Sequence, residues 1–182
     1  MAGLELRHER YDGAAGARLV RDLTDDLTVR YAGDDEPPEC ALTPEERAAR
    51  RADVAEEEAV YAAEVGPDDV AAPWGAFLVA YVDGEPVGCG AVKRHDHATA
   101  EVKRVWVVPG ARGKGVARAL MARLEEVAQA LGYRGLVLET GLRQPEAVEL
   151  YESLGYRRRE PYGTYRDSPL SVCFERDLPA TT

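Results

Sequence analysis

The chain has 182 residues, 45% of them hydrophobic, a length and composition suited to one globular domain with a proper core. A formal net charge of −10 argues against a phosphate-backbone binder, which needs clustered Lys and Arg, so no nucleic-acid partner is expected. No apolar run approaches the roughly 18 residues that cross a bilayer, and the charged segment Met1 to Asp12 lacks the apolar stretch of a signal peptide, so a cytoplasmic protein without a membrane partner is expected.

Leu4 to Arg10 reads as a first strand, and Ala14 to Tyr31 as a helix with Leu19, Val20, Leu23 and Leu27 along one side. Asp34-Asp35-Glu36-Pro37-Pro38 is a loop signal and not a domain boundary, because too little chain precedes it to form a core. Thr43-Pro44-Glu45-Glu46 opens a second helix: Thr43 can cap, Pro44 suits the first turn and Glu46 completes a capping box. That helix is expected to reach about Val65 and stop before Gly66-Pro67. Its apolar side is mostly alanine with Val54, Val60 and Tyr61, which fits a lightly packed, solvated helix better than a lid over a substrate site.

Gly75 to Val82 and Pro86 to Arg94 read as two strands joined at Asp83-Gly84, a dipeptide whose tolerance of positive φ favours a tight hairpin. Thr99 to Val108 is a third strand, so an antiparallel meander is expected. The periodicity then changes. Val116, Leu120, Met121, Leu124, Val127, Ala128 and Leu131 recur at helical spacing, and Gly132 ends that helix. Gly135 to Thr140 is a short apolar strand, which makes the strand–helix–strand unit a right-handed crossover with parallel strands. A helix from about Pro145 to Leu154 closes at Gly155, and Leu170 to Arg176 alternates as a final strand. The predicted fold class is α+β, a mixed and mostly antiparallel sheet with one parallel crossover.

Cys40, Cys89 and Cys173 are too widely spaced for a metal site and read as free thiols. His95-Asp96-His97 reads as an exposed connection between strands, and no further ligands accompany it, so no metal is expected.

The segment from Pro109 to Ala117 lies between a strong strand and a strong helix, and glycines let the backbone approach a ligand there. The first N–H groups of a helix are unpaired and, with the helix dipole, favour a pyrophosphate; Arg112 and Lys114 add positive charge. A structural turn without a ligand is the plainer alternative. Two other phosphate-binding patterns fail. A Walker A loop needs Ser or Thr after Gly-Lys, where Gly115 stands, and an earlier Gly where Val108 stands. A dinucleotide fingerprint needs Gly at Arg118, and the preceding hairpin conflicts with a Rossmann start.

Arg112-Gly113-Lys114-Gly115-Val116-Ala117 resembles the coenzyme A signature of the GCN5-related N-acetyltransferases, in which Gln or Arg is followed by two variable residues, Gly, one variable residue and Gly or Ala. Ala100 to Val107 is similar to that family's fourth strand, and Ala147 to Tyr156 to its last helix and the turn after it. The order and spacing of the three pieces agree, and the resemblance spans about Leu4 to Leu178. It implies transfer of an acetyl group from acetyl-CoA to a primary amine by direct attack in a ternary complex, with a small molecule as the expected acceptor; a small amine, an amino acid, an antibiotic and a protein N-terminus or lysine all remain open to the sequence. It also implies that Val105, Trp106, Val107, Arg112, Gly113, Lys114, Gly115, Val116, Ala117, Gln144 and Ala147 bind the cofactor. Gln144 stands where many members carry Asn.

The resemblance places Glu101 at the position of a general base, although the residue could instead pair with Lys103 or Arg104. Tyr151 matches the usual general acid for the leaving sulfur, or else packs beneath the sheet. N–H groups near Val105 to Val107 would polarise the thioester carbonyl. A non-catalytic acyl-CoA sensor on the same fold is the competing reading, and a homodimer is plausible from the family. Helices between Ala14 and Val65 and the segment Pro161 to Tyr165 are expected to line the acceptor side, its tyrosines suiting either a pocket or a subunit interface.

Overall fold

The computed structural model describes residues 3–31 and 43–179. Cys40 and the loop expected at Asp34 to Pro38 lie outside them. The elements run β1 (Leu4–His8), α1 (Ala14–Tyr31), α2 (Pro44–Ala63), β2 (Ala76–Val82), β3 (Glu85–Arg94), β4 (Thr99–Val107), α3 (Val116–Ala130), β5 (Gly135–Gly141), α4 (Pro145–Ser153), β6 (Arg157–Arg159) and β7 (Ser171–Asp177). The expected elements all form, their ends moving by one or two residues. β1 stops at His8 rather than Arg10 because Arg10 turns to accept the Gly13 N–H at 3.1 Å. β6 was not anticipated: three consecutive arginines carry no strand periodicity, and they join the sheet only because β7 offers an edge.

One sheet of seven strands runs in the order β1-β2-β3-β4-β5-β7-β6, and every pairing is antiparallel except β4 with β5. The parallel pair follows from α3, which carries the chain back across one face. Leu120, Met121 and Leu124 of α3 and Tyr151 of α4 pack with Leu78, Val92, Val102, Leu138 and Phe174 on that face. On the other face Leu19 and Leu23 of α1 cover Phe77, Val79, Cys89 and Trp106.

α2 begins with the expected capping box, Thr43 accepting from the Glu46 N–H and Glu46 accepting from the Thr43 N–H. Much of it faces water, as its alanine-rich pattern implies, and Val60 is 42% exposed. Its C-terminal end is different. Tyr61 and Glu64 turn in against β4, where Arg104 Nη2 donates to the Tyr61 carbonyl and Lys103 pairs with Glu64 at 3.0 Å. His95, Asp96 and His97 form the exposed β3–β4 turn, Asp96 accepting the N–H groups of Ala98 and Thr99. Cys89 and Cys173 are free and buried, and burial pushes the Cys89 thiol up to about 12.

Leu120 is fully buried between α3 and the sheet, and its Cδ1 would stand 3.3 Å from a Cβ placed on Gly88. Leu120→Ala is expected to cost about 2–5 kcal/mol in urea-unfolding free energy, because the rigid sheet cannot collapse into the space. A loss below about 1 kcal/mol would mean that this core relaxes freely.

Candidate active site

The site begins with an irregularity in β4. Two residues, Arg104 and Val105, oppose the single residue Gly90 of β3, because the register passes from Cys89↔Trp106 to Ala91↔Lys103. Arg104 takes a left-handed φ of 59° at this bulge. A bulge bends and twists its strand. β4 stays with β3 as far as Val107, β5 stays with β7 as far as Gly141, but β4 and β5 pair only as far as Val102↔Leu138. Beyond that pair the two strands part and leave a gap. The Val108 N–H bonds back to Val87, so alternation along β4 turns Val107 toward the gap, where its carbonyl accepts Arg112 Nε at 2.9 Å.

At one mouth of the gap the glycine turn leads into α3. Gly113 and Gly115 have φ of 72° and 78°, and Gly115 caps α3 without any side-chain hydrogen bond. The first N–H groups of α3 therefore remain available, at the positive end of a 15-residue helix. A Cβ on Gly113 would meet nothing within 4 Å, so the turn is open to a ligand. Val116 is buried at 1% exposure and Ala117 is half-buried, so these two offer backbone N–H groups rather than side chains. Lys114 Nζ donates to the Gly110 carbonyl at 2.8 Å.

Arg112 is held by a residue that sequence reasoning missed. Its Nη2 pairs with Asp26 of α1 at 2.8 Å, and the same carboxylate oxygen accepts Trp106 Nε1 at 3.0 Å. Arg30, one turn further along α1, pairs with Asp26 at 3.3 Å and with Glu146 of α4 at 2.6 Å. Gln144, the residue before α4, places Nε2 3.4 Å from the Tyr31 hydroxyl, and the Ala147 N–H bonds to the Gln144 carbonyl at 2.9 Å. α1 thus ties the glycine turn to the start of α4 across the gap. No local pattern announces Asp26, which lies 86 residues before Arg112.

At the other end Glu101 is buried, accepts the Tyr162 hydroxyl at 3.1 Å and stands 3.6 Å from Lys103 Nζ. Of the two pairings open in the sequence, Lys103 is the one formed. An open recess is lined by Glu64, Glu101, Lys103, Glu139, Tyr162 and Tyr165. Burial opposes the Lys103 charge, but Glu101 and Glu64 outweigh it and hold the ammonium above its ordinary range. Burial raises Glu139, against the opposing hydrogen bond from Ser171. Tyr165 is pushed up to about 12 by burial and then by Glu64, and Tyr162 is raised by burial and by Glu101, so both phenols keep their protons.

Tyr151 approaches from the opposite face. It is buried against Tyr156 and Phe174, and no described residue hydrogen-bonds its hydroxyl. Burial raises it, with Glu139 and Tyr61 adding to the effect across the sheet.

Burial also works against the Asp26 charge, but the hydrogen bonds from Trp106, Arg112 and Arg30 outweigh it and hold the carboxyl below its usual range. A carboxyl so depressed stabilises the fold above its unfolded value of about 4 and loses that contribution as pH falls through the folded value. Asp26→Asn is therefore expected to be less stable than the parent by about 1–2 kcal/mol at pH 7, and the difference in urea midpoints to close in acid. A difference unchanged between about pH 7 and about pH 3 would exclude the ion pair as its source.

The family model described as Acetyltransferase (GNAT) family matches residues 36–156. An IAA acetyltransferase of Azospirillum brasilense is 43% identical over 103 residues, covering 56% of this chain and 67% of that protein. The N-acetyltransferase YsnE of Bacillus subtilis, itself uncharacterized, is 34% identical over 116 residues, covering 63% of this chain and 77% of its own length. A Klebsiella pneumoniae structure assigned as an acyl-CoA N-acyltransferase superposes with a TM-score of 0.69 at 26% identity, over 96% of this chain and 97% of the other. Acetyl-CoA as co-substrate fits this family. The chain belongs to the Acetyltransferase (GNAT) family and is an acyltransferase.

Proposed function

We propose that the protein transfers the acetyl group of acetyl-CoA to the primary amine of a small molecule, by direct attack in a ternary complex. The observation that carries this reading is the gap beyond Val102↔Leu138, with the open N-terminus of α3 at one mouth and the Glu101 recess at the other. A long thioester fits the first and an amine the second.

The cofactor end is built from main chain. N–H groups of Gly113, Gly115, Val116 and Ala117 receive the pyrophosphate, with Arg112 and Lys114 contributing positive potential. Val105, Trp106 and Val107 on β4 and Gln144 and Ala147 at the start of α4 are assigned to the thioester and pantetheine part of the cofactor. A Gly113 without neighbours and an uncapped helix start are what such a ligand requires.

The acceptor must lose a proton first. An amine of pKa about 10.4 is almost wholly protonated at pH 7, which costs roughly 4–5 kcal/mol of reactive population. Glu101 removes that proton, directly or through a water, and the Tyr162 hydroxyl and Lys103 hold its carboxylate in place. The Val107 N–H, fixed by the Arg112 contact to its carbonyl, stabilises the negative charge that develops on the acetyl oxygen. Tyr151, fully protonated because it is buried, donates to the departing sulfur. A thiolate leaving into the same desolvated space is raised as well, which brings donor and acceptor closer in basicity.

The direct test is release of coenzyme A thiol across an acceptor panel, where acceptor-stimulated release is expected. Acetyl-CoA binding with only slow release that no acceptor stimulates would identify an acyl-CoA sensor instead. Tyr151→Phe is expected to lower kcat about 10²–10⁴-fold while leaving acetyl-CoA affinity unchanged; full turnover would remove Tyr151 from the reaction. Gly115→Glu places a charged side chain at the pyrophosphate position and should abolish acetyl-CoA binding in calorimetry, and retained affinity would move the site elsewhere.

A further inference from the structure

We propose that Arg104 is an anion-recognition group in the acceptor site, and that the acceptor is therefore an amine that also carries a carboxylate, such as an amino acid. This deepens the N-acetyltransferase reading above and rests on it.

Three observations converge on Arg104. Its guanidinium cannot lose its charge in a protein, yet the residue is only 4% exposed and no carboxylate among the described residues pairs with it. The neighbouring cations are matched: Lys103 has Glu64 and Glu101, and Arg112 has Asp26. A buried charge without a counter-ion costs several kcal/mol. Second, its Nε and Nη1 are buried without hydrogen-bond partners, although donors in a protein interior are almost always satisfied. Third, its backbone is held at φ 59°, an arrangement disfavoured for a residue with a Cβ and persisting only where the surroundings enforce it. The bulge that enforces it turns Arg104 onto the α1/α2 face, beneath Tyr61 and close to Tyr11.

A purely structural role accounts for part of this. Arg104 Nη2 caps the Tyr61 carbonyl at the end of α2, and Tyr61 stacks on the guanidinium with its centroid 3.6 Å from Cζ. Lys93 does the same for the Glu64 carbonyl at 2.7 Å. Capping suits any cation at a helix C-terminus and leaves Nε and Nη1 unexplained. A carboxylate explains them. It would reach them when the half-buried Tyr61 side chain swings aside, and Tyr61 is then the door of the subsite. The charge pattern agrees. Three carboxylates, Glu64, Glu101 and Glu139, line the recess against one ammonium, Lys103, and Tyr61, which covers the Arg104 guanidinium, is also within electrostatic reach of Lys103 and Tyr165. An amine attracted to the acidic side, with its own carboxylate on Arg104, matches both signs; a simple monoamine leaves Arg104 unmatched.

The test compares matched pairs in the thiol-release assay: tyrosine with tyramine, phenylalanine with phenethylamine, leucine with isoamylamine and β-alanine with ethylamine. At least one carboxylated member should exceed its partner in kcat/KM by about tenfold or more, the size of a charge-assisted hydrogen bond. Arg104→Gln and Arg104→Lys should both raise KM for that acceptor by a similar factor and leave KM for acetyl-CoA unchanged. A lysine caps a helix but does not reproduce the guanidinium donors. Should Arg104→Gln fail to fold, the wild-type pairs and Arg104→Lys suffice. Equal or better use of the decarboxylated amines, or an Arg104→Lys variant with wild-type acceptor KM, overturns the Arg104 subsite and leaves the N-acetyltransferase reading standing. Absence of acceptor-stimulated release with every member of every pair overturns both.

Discussion

Val102 and Leu138 are the last residues that β4 and β5 share, and the separation after them organises the molecule. A parallel pair normally continues until one strand ends. Here both strands continue, each bonded to its other neighbour, because the extra residue at Arg104–Val105 bends β4 away. Backbone groups in a protein interior need partners. An opened edge inside the sheet is therefore a standing demand for a ligand with main-chain-like donors and acceptors, and the amide-rich arm of coenzyme A has that chemistry.

The open edge would be unstable without something across it, and α1 supplies that. Asp26 gathers the indole of Trp106, the guanidinium of Arg112 and the guanidinium of Arg30, and Arg30 continues the chain of charge to Glu146 on α4. Two consequences follow. The glycine turn is held before any ligand arrives, which lowers the ordering cost of binding. Asp26 is shared between Arg112 and Arg30, so positive charge from Arg112 and Lys114 adds to the field of the α3 N-terminus at the turn.

The recess on the other side follows a different electrostatic logic. Lys103 sits between Glu64 and Glu101, and the two carboxylates hold its ammonium above its ordinary range against burial, while Glu139 accepts from Ser171 and is raised by burial. Tyr162, its phenol raised by burial and by Glu101, keeps its proton and donates to the Glu101 carboxylate. α2 contributes here only through its last turn. Its exposed length agrees with the sequence expectation of a solvated helix, while Tyr61 and Glu64 make its end a roof.

Most of the architecture was legible in the sequence because it is written in local terms. Period-2 and period-3.6 patterns, the Thr43 capping box, the Asp83-Gly84 hairpin and the glycine turn each depend on residues a few positions apart. The glycine turn ahead of α3, and the placement of Glu101 on β4 and Tyr151 on α4, were legible for the same reason, through the order of three short segments. Tertiary structure alone decided the rest. The bulge exists because β3 and β4 are paired in a particular register, and β6 because β7 has a free edge. Asp26 meets Arg112, Glu64 meets Lys103 and Tyr162 meets Glu101 only when distant parts of the chain fold over one sheet. A charge in a sequence carries no record of its counter-ion. That pairing, and the absence of one at Arg104 among the described residues, is a property of three-dimensional packing, because Coulomb energy depends on distance in space and on burial rather than on distance along the chain.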